Sequence, residues 1–239
     1  MSIKADLHVH SIASVDGRSS LDALLAAART HGLDAITVSN HDTCTPLPEH
    51  QDVLLIPGVE ITSDNGHILG LFLDRPVDLA ALGKYPAPAR AIDAIHNAGG
   101  LAVLAHPFAP PKLTPQEVLS LPFDAIETAN ARAMLKPGAN EKAAALAAQA
   151  KLPGTGGSDA HHASELGGCV TEFSCERSLA AMKQALLDGQ CRAAEIRACK
   201  WTQKGLSKLR RERTCGTAIS RFKALCYFGG CICRDVFHI

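Results

Sequence analysis

Aromatic side chains are scarce: one Trp, two Tyr and seven Phe in 239 residues. Little is therefore available for stacking a nucleobase. Net charge is absent too, because 24 Lys and Arg offset 24 Asp and Glu. Nothing global favours nucleic acid or a membrane surface. No apolar run approaches the ~20 residues that span a bilayer, and Met1-Ser2-Ile3-Lys4 leads straight into a strand pattern instead of a secretory signal. The nine cysteines are odd in number, and Cys231-x-Cys233 with Cys226 and His238 lacks the paired spacing of a zinc knuckle. Free thiols and a cytoplasmic location are expected. There is no Gly-x-Gly-x-x-Gly, which disfavours a dinucleotide-binding sheet, and no internal repeat.

The zero charge hides an asymmetry. Residues 1–195 carry 14 Lys or Arg and 22 Asp or Glu, whereas residues 196–239 carry 10 basic and 2 acidic residues. Cysteine splits the same way, four before residue 196 and five after it. Two regions are expected: one domain over 1–195 and a basic, Cys-rich, partly helical tail over 196–239. Within the tail, residues 206–213 read as a basic, partly amphipathic helix that is solvated or covers the domain. A basic patch that helps an RNA or nucleotide substrate approach is the sharper alternative. After Thr214 the periodicity is weak, and poor order or irregular packing is expected.

From residue 3 to about residue 190, strand-like and helix-like segments alternate. Short runs at 3–9, 35–39, 53–61, 67–72, 101–105, 123–127 and 170–173 read as strands, and 154–158 leads up to Asp159. Helical spacing appears near 21–28, 91–97, 140–151 and 178–187. Such alternation predicts an α/β fold, a parallel sheet of about seven strands closed into a (β/α) barrel. In such barrels the chemistry sits at the carboxyl ends of the strands.

Those ends carry metal-capable side chains. His8 and His10 lie two apart, so they share one strand face. The second strand ends in Asn40-His41-Asp42 and the third near Glu60. The fourth opens on His67, the fifth ends at His106, and the sixth delivers Glu127 with Asn130 just beyond. Asp159 and His161 close the series. Imidazole with carboxylate suits zinc, iron or manganese. A catalytic zinc takes three protein ligands, so this many candidates predict two or three ions, with Glu60 suited to bridging because each oxygen can take one. Sites of this kind hydrolyse at phosphorus. His31, His50 and His96 fall on helices or loops and read as surface residues; His162 reads as an edge residue.

Five ordered stretches, Asp6-Leu7-His8-Val9-His10-Ser11, Asn40-His41-Asp42-Thr43, Pro57-Gly58-Val59-Glu60-Ile61, Ala105-His106-Pro107 and Gly157-Ser158-Asp159-Ala160-His161, resemble the motifs of the polymerase and histidinol phosphatase (PHP) family. The resemblance covers about residues 4–192 and implies a distorted seven-stranded barrel with two or three divalent ions (Mn, Fe or Zn). It implies that His8, His10, Glu60 and Asp159 hold the first ion, that Glu60 bridges to a second with His67 and His106, and that Asp16, His41 and His161 hold a third. Gly17 permits the turn that swings Asp16 inward. Glu60, Asp159 and His161 are the expected catalytic residues. Asn130, Arg132 and Arg18 are the expected substrate contacts, because Arg offers phosphate a bidentate fork, and Phe108 could stack a base.

The implied activity is hydrolysis of small phosphoesters of nucleotide type, a 3′,5′-bisphosphate or nucleoside monophosphate, by attack of metal-bound hydroxide on phosphorus. Exoribonuclease-like hydrolysis of short RNA and a non-catalytic metal-binding accessory module are the alternatives. Hydrolysis of a C–N bond is disfavoured, since no strand end offers a metal-bridging Lys. Two departures from the family stand out: Asn40 replaces the usual Asp, and the connection over about 74–91 is short where some relatives carry a helical insertion, which implies a more open site.

Overall fold

The computed structural model describes residues 2–108 and 113–237; His238, weighed above with Cys226, Cys231 and Cys233 as a zinc-knuckle set, lies outside them. Nine strands make one sheet: β1 (Ile3–Val9), β2 (Ala35–Val38), β3 (Leu54–Ser63), β4 (Gly66–Leu71), β5 (Leu101–Leu104), β6 (Ala125–Asn130), β7 (Gly154–Gly157), β8 (Cys169–Phe173) and β9 (Cys191–Glu195). Their order is β7-β6-β5-β4-β3-β2-β1-β8-β9. Helices α1 (Leu21–Thr30), α2 (Leu79–Leu82), α3 (Pro88–Asn97), α4 (Pro115–Ser120), α5 (Ala139–Ala150) and α6 (Leu179–Leu187) cover it, and α7 (Trp201–Cys215) and α8 (Ala218–Phe237) follow.

The expectation of seven parallel strands is corrected on both counts. β1, β2 and β3 pair in parallel, as do β5, β6 and β7. β4 runs antiparallel between β3 and β5, and β8 and β9 run antiparallel beyond β1. Only Asp64 and Asn65 join β3 to β4, too few for the crossover that a parallel pair needs. β4 therefore runs backwards. Its amino end lies at the rim where β3 has its carboxyl end, and His67 arrives there beside Thr62. β9 was invisible because Cys191-Arg192-Ala193-Ala194-Glu195 has no β-branched residue and only partial burial.

The sheet curls until β7 meets β1 and β8. His10 N donates to the Ala160 carbonyl (2.8 Å) and Ala160 N to the His8 carbonyl (3.3 Å). Thr171 Oγ1 accepts from Gly156 N (2.8 Å) and donates to the Gly156 carbonyl (3.0 Å). Two backbones can approach this closely only without side chains. A Cβ on Gly156 would collide with the Val170 carbonyl, and one on Gly157 would lie 2.5 Å from His8 Cβ. Asp6 staples the same seam, its carboxylate accepting from Ser158 N and Gly167 N at 2.8 Å each.

Apolar burial follows the helical and strand periods. Leu24, Leu25 and Ala28 seat α1 on Val9, Ile36 and Val170. Ile92 and Ile95 of α3 pack on Ile61 and Ile68, and Met182 and Leu186 of α6 pack with Leu7, Leu69 and Phe173. Burial of this kind contributes roughly 25 cal/mol per Å² of apolar surface.

The expectation of poor order after Thr214 is also corrected: α7 and α8 form a helical hairpin. Gly205 lets α8 come close, since a Cβ there would lie 2.8 Å from the Phe228 ring. Asp235 accepts from Trp201 N (2.9 Å) and Thr202 N (2.8 Å) and so caps α7. α7 docks on the barrel through Arg132 to Ser207 Oγ (2.9 Å) and Gln203 to Ser164 Oγ (3.2 Å). All nine thiols are free, and among the described residues no helix is long and apolar enough to cross a membrane.

Gly156→Ala is expected to cost about 1–3 kcal/mol, because neither backbone at the seam can give way. Gly230→Ala, in open space on α8, is expected to cost nothing, since Ala is the better helix former. Urea-denaturation midpoints of the two variants check the contrast; indistinguishable midpoints would contradict it.

Candidate metal centre

The nine residues expected to bind metal meet at one rim. Glu60, on β3, is fully buried at the centre. Its Oε2 lies 3.2 Å from His8 Nε2, 3.2 Å from His10 Nε2 and 3.1 Å from His41 Nδ1. Its Oε1 lies 2.7 Å from His67 Nδ1 and 3.1 Å from His106 Nε2. Asp159 Oδ1 stands 3.4 Å from His10 Nε2 and 3.8 Å from His8 Nε2. Asp16 Oδ2 stands 3.4 Å from His41 Nε2 and 3.2 Å from His161 Nε2.

These separations fit a metal centre. Ligand atoms bonded at about 2.0–2.2 Å, at tetrahedral or octahedral angles, lie about 3.0–3.5 Å from one another. His8 Nε2, both ring nitrogens of His10, His41 Nδ1 and Glu60 Oε2 are buried with no hydrogen-bond partner. Buried polar atoms left so are costly unless something else satisfies them. Ligand atoms converge in four sets, each within 4.8 Å: His10, Asp16, His41 and His161; His8, His10 and Asp159; His41, Glu60 and His67; and His8, His106 and Glu127. His161 adds a chemical argument. Its Nδ1 lies 2.8 Å from the Asp159 carbonyl, which can only accept, so that nitrogen carries the proton and Nε2 presents a lone pair to the Asp16 carboxylate. Two acceptors face each other there, and a shared cation reconciles them.

Local backbone geometry sets up the rim. His106 and Asp159 adopt left-handed φ values of +27° and +54°, which non-glycine residues seldom accept outside functional sites. Each lies two residues past a strand end, His106 after β5 and Asp159 after β7, and the turn aims each side chain inward. At Gly17 the requirement is different. Any Cβ there would collide with the Ser11 carbonyl, so glycine is needed for close approach. Ser14 Oγ then donates to Asp16 Oδ1 (2.8 Å) and fixes the carboxylate.

Glu127 supports the rim from β6. Its Oε1 lies 3.0 Å from His8 Nδ1, and its Oε2 accepts from His106 N (2.8 Å) and Asn130 Nδ2 (3.0 Å). Carboxylates placed behind ligating imidazoles orient the ring and fix its tautomer. Asn40, the departure from the family pattern, accepts from Ser11 N (2.7 Å) and donates to Ser11 Oγ (2.9 Å) and Thr45 Oγ1 (2.7 Å). It ties two rim loops together.

The electrostatics are those of carboxylates held ionised by imidazoles. Burial pushes the Glu60 pKa up, but His41, His8 and His67 hold it well below the usual carboxylate range. Asp159 is likewise held low against burial, chiefly by His8 and His10. Burial pulls His10 down, yet Asp159 and Glu60 carry its pKa up to about 9. For His161, burial, Arg132 and His10 act together and push it down to about 4.

The expected substrate contacts divide. Asn130 and Arg132 line a cavity of about 510 Å³ that opens onto Glu60, His67 and Asp159. Asn130 Oδ1 accepts from Arg132 N (2.9 Å) and Ala133 N (2.8 Å), so it shapes the loop. Arg132 pairs with the buried Glu165 at 2.5 Å, and its Nε is buried without a partner. Arg18 is not brought to this cavity: it bonds Glu165 at 2.9 Å and lies under Leu206 and Leu209. Phe108 lines the cavity. His96 bonds Asp124 and His50 bonds Val53, both away from the rim. Lys204, Lys208 and Arg211, which sequence reasoning passed over, form a further wall of the cavity. Their spacing of four and three was the available signal.

Residues 137–191 match the family described as PHP-associated. The chain is 31% identical over 184 residues to an uncharacterized protein of Methanocaldococcus jannaschii, MJ0417, covering 72% of this chain and 71% of that protein. Its fold is similar to that of PsfC from Pseudomonas syringae PB-5123, at a TM-score of 0.64 and 21% identity, covering 96% of this chain and 98% of the other. It is also similar to a protein of Bifidobacterium adolescentis described as a metal-dependent phosphoesterase, at a TM-score of 0.56 and 18% identity, covering 68% and 90% of the two chains. Taken with the ordered His, Glu and Asp motifs that converge on one rim, these matches mean that the chain belongs to the polymerase and histidinol phosphatase (PHP) family.

Proposed function

We propose that the chain is a metal-dependent phosphohydrolase of small phosphoesters, with nucleotide-type substrates, a nucleoside monophosphate or 3′,5′-bisphosphate, as its class. One observation carries this reading: the two oxygens of Glu60 face separate sets of imidazoles, His8, His10 and His41 on one side and His67 and His106 on the other. A carboxylate so placed could be shared by two cations, one held with each set of imidazoles. Divalent ions held there polarise phosphoryl oxygens and acidify water at neutral pH. Manganese, iron and zinc all suit a histidine-rich set with carboxylates.

The chain's own groups supply the rest. His8, His10 and Asp159 would hold one ion together with Glu60; His67 and His106 would hold a second with Glu60; and Asp16, His41 and His161 would hold a third. With its pKa pushed down by burial, Arg132 and His10, His161 would present the lone pair of Nε2 to a cation. Arg132, which lines the cavity, is the cationic donor for a phosphoryl oxygen, and Asn130 holds that arginine's backbone in place. Phe108 at the same wall offers an apolar surface to a base. Nine free thiols suit a reducing, cytoplasmic location.

Glu60→Ala is expected to lower phosphate release by about three orders of magnitude or more and to reduce bound metal, read by elemental analysis beside a screen of nucleotides, sugar phosphates and a short RNA. Normal turnover and metal content in that variant would sink the shared-carboxylate reading. Bound metal with no phosphate release from any ester would favour an accessory role.

In the metal-free protein, protons stand in for cations. The folded His10 pKa of about 9 lies above its ordinary 6.5, so its stabilisation is complete below about pH 6.5 and is lost as pH rises through about 9. Metal-free stability should therefore fall between about pH 7 and about pH 9.5, by about 3 kcal/mol from His10 alone. Metal affinity should rise over the same interval, because ligation needs the neutral ring. Thermal unfolding with chelator and with added Mn²⁺ across this range reads both effects; parallel profiles would count against them.

A further inference from the structure

The C-terminal hairpin supplies one wall of the catalytic cavity. Lys204, Lys208 and Arg211 of α7 line it, opposite Glu60, His67 and Asp159. Their i, i+4, i+7 spacing puts all three on one helix face. Like charges at such spacing repel and weaken a helix. Among the described residues, none of the three pairs with a carboxylate. Glu165, the buried acid nearest α7, is already taken by Arg18 and Arg132, at 2.9 and 2.5 Å.

Other tail cations are used structurally. Arg197 donates to the Ser164 and Leu166 carbonyls, Arg221 to the Glu212 and Arg213 carbonyls, and Arg234 lies 4.3 Å from the Trp201 ring centroid. Lys208 and Lys204 only rest on aromatic faces, at 4.5 Å from the Tyr227 ring and 5.9 Å from the Trp201 ring. Such contacts steady the stem and leave ammonium donors free for an acceptor. With divalent ions on the rim, the cavity has two cationic walls. Its volume of about 510 Å³ is within the ~300–1,000 Å³ common for small-molecule sites. A monophosphate would answer only one wall.

We propose that Lys204, Lys208 and Arg211 form a second anion subsite, which binds a phosphate or other anionic group of the substrate that is not hydrolysed. The inference rests on the phosphohydrolase reading and narrows it to esters that carry two anionic groups. It makes α7 a determinant of specificity.

Calorimetric binding to the metal-loaded protein compares two non-hydrolysable probes, propane-1,3-diphosphonate and propylphosphonate. The diphosphonate is expected to bind roughly 10- to 100-fold more tightly, as charge-assisted hydrogen bonds allow. In the combined Lys204→Gln, Lys208→Gln, Arg211→Gln variant that margin should fall to about twofold or less. Lys208→Gln with Arg211→Gln, both exposed, should lose part of it without disturbing the packing of α7. Lys223→Gln on α8 should keep all of it. No margin in the unaltered protein, or a full margin in the triple variant, would overturn the subsite. A margin that behaves as expected beside an inability to hydrolyse any phosphate ester would instead reject the phosphohydrolase reading and leave the subsite standing.

Discussion

A fully buried carboxylate surrounded by five imidazoles, Glu60, is the constraint on which the rest depends. Removing an isolated carboxylate from water costs several kcal/mol even after the protein relaxes. Glu60 meets that cost only because His8, His10, His41, His67 and His106 come within 2.7–3.2 Å of its two oxygens. Those histidines come from four separate segments of the chain. No local structure can assemble them, so the centre exists only if the sheet closes. Fold and site are therefore one problem. The interactions at the rim are also conditional: protons satisfy them in the metal-free protein, and divalent cations would take their place.

Closure explains features that have little to do with chemistry at first sight. The seam between β7 and β1 runs through Gly154-Thr155-Gly156-Gly157, a poor strand by propensity. Larger residues would form a better strand and a worse seam, because Val170 and His8 occupy the space. Glycine is placed by close approach and not by backbone conformation, since neither Gly156 nor Gly157 has a positive φ. Strain appears instead at His106 and Asp159, which are non-glycine residues in the left-handed region. Both turn a side chain toward the rim two residues past a strand end. Glu127 and Ser158 hold these turns, with Glu127 bonding His106 N at 2.8 Å and Ser158 Oγ accepting from Ala160 N at 3.2 Å. The conformational cost is about 1–3 kcal/mol for each such residue, and the supporting bonds offset it.

Much of the rim was legible in the sequence, because ligands at strand ends have a position-specific signature. His8-Val9-His10 reads as a pair from the two-residue period alone. Glu60, His106 and Asp159 follow from counting strand ends. His67 was placed correctly for a different reason than its position suggests: it begins a strand, and only the reversal of β4 brings it to the others. What stayed hidden depends on three-dimensional partners. Glu127 looks like one more rim candidate and turns out to stand behind His8. Arg18 looks like a phosphate contact beside Asp16 and is claimed by Glu165, 147 residues away. Asp6 looks like a strand residue and bonds both Ser158 and Gly167. β9 was unreadable because an edge strand of Cys, Arg, Ala and Glu carries no periodic signal. The order of the tail was unreadable because α8 leaves Phe222, Leu225 and Ile232 exposed, which blurs the amphipathic pattern that reveals a packed helix.

The balanced net charge takes on meaning once the tail is placed. Residues 1–195 are acidic and residues 196–239 basic, and the two meet at the cavity. Simple neutralisation across that boundary would give ion pairs between α7 and the rim. Among the described residues there is none: Glu60, Asp159 and Asp16 are turned inward to histidines, and the buried Glu165 bonds Arg18 and Arg132 of the barrel. Divalent ions on the rim would remove what attraction remained. The positive face of α7 is thus left facing a cavity whose own acids are already committed. A charge arrangement that lowers the stability of the free protein persists where a ligand completes it, and the ligand that would complete this one is an anion.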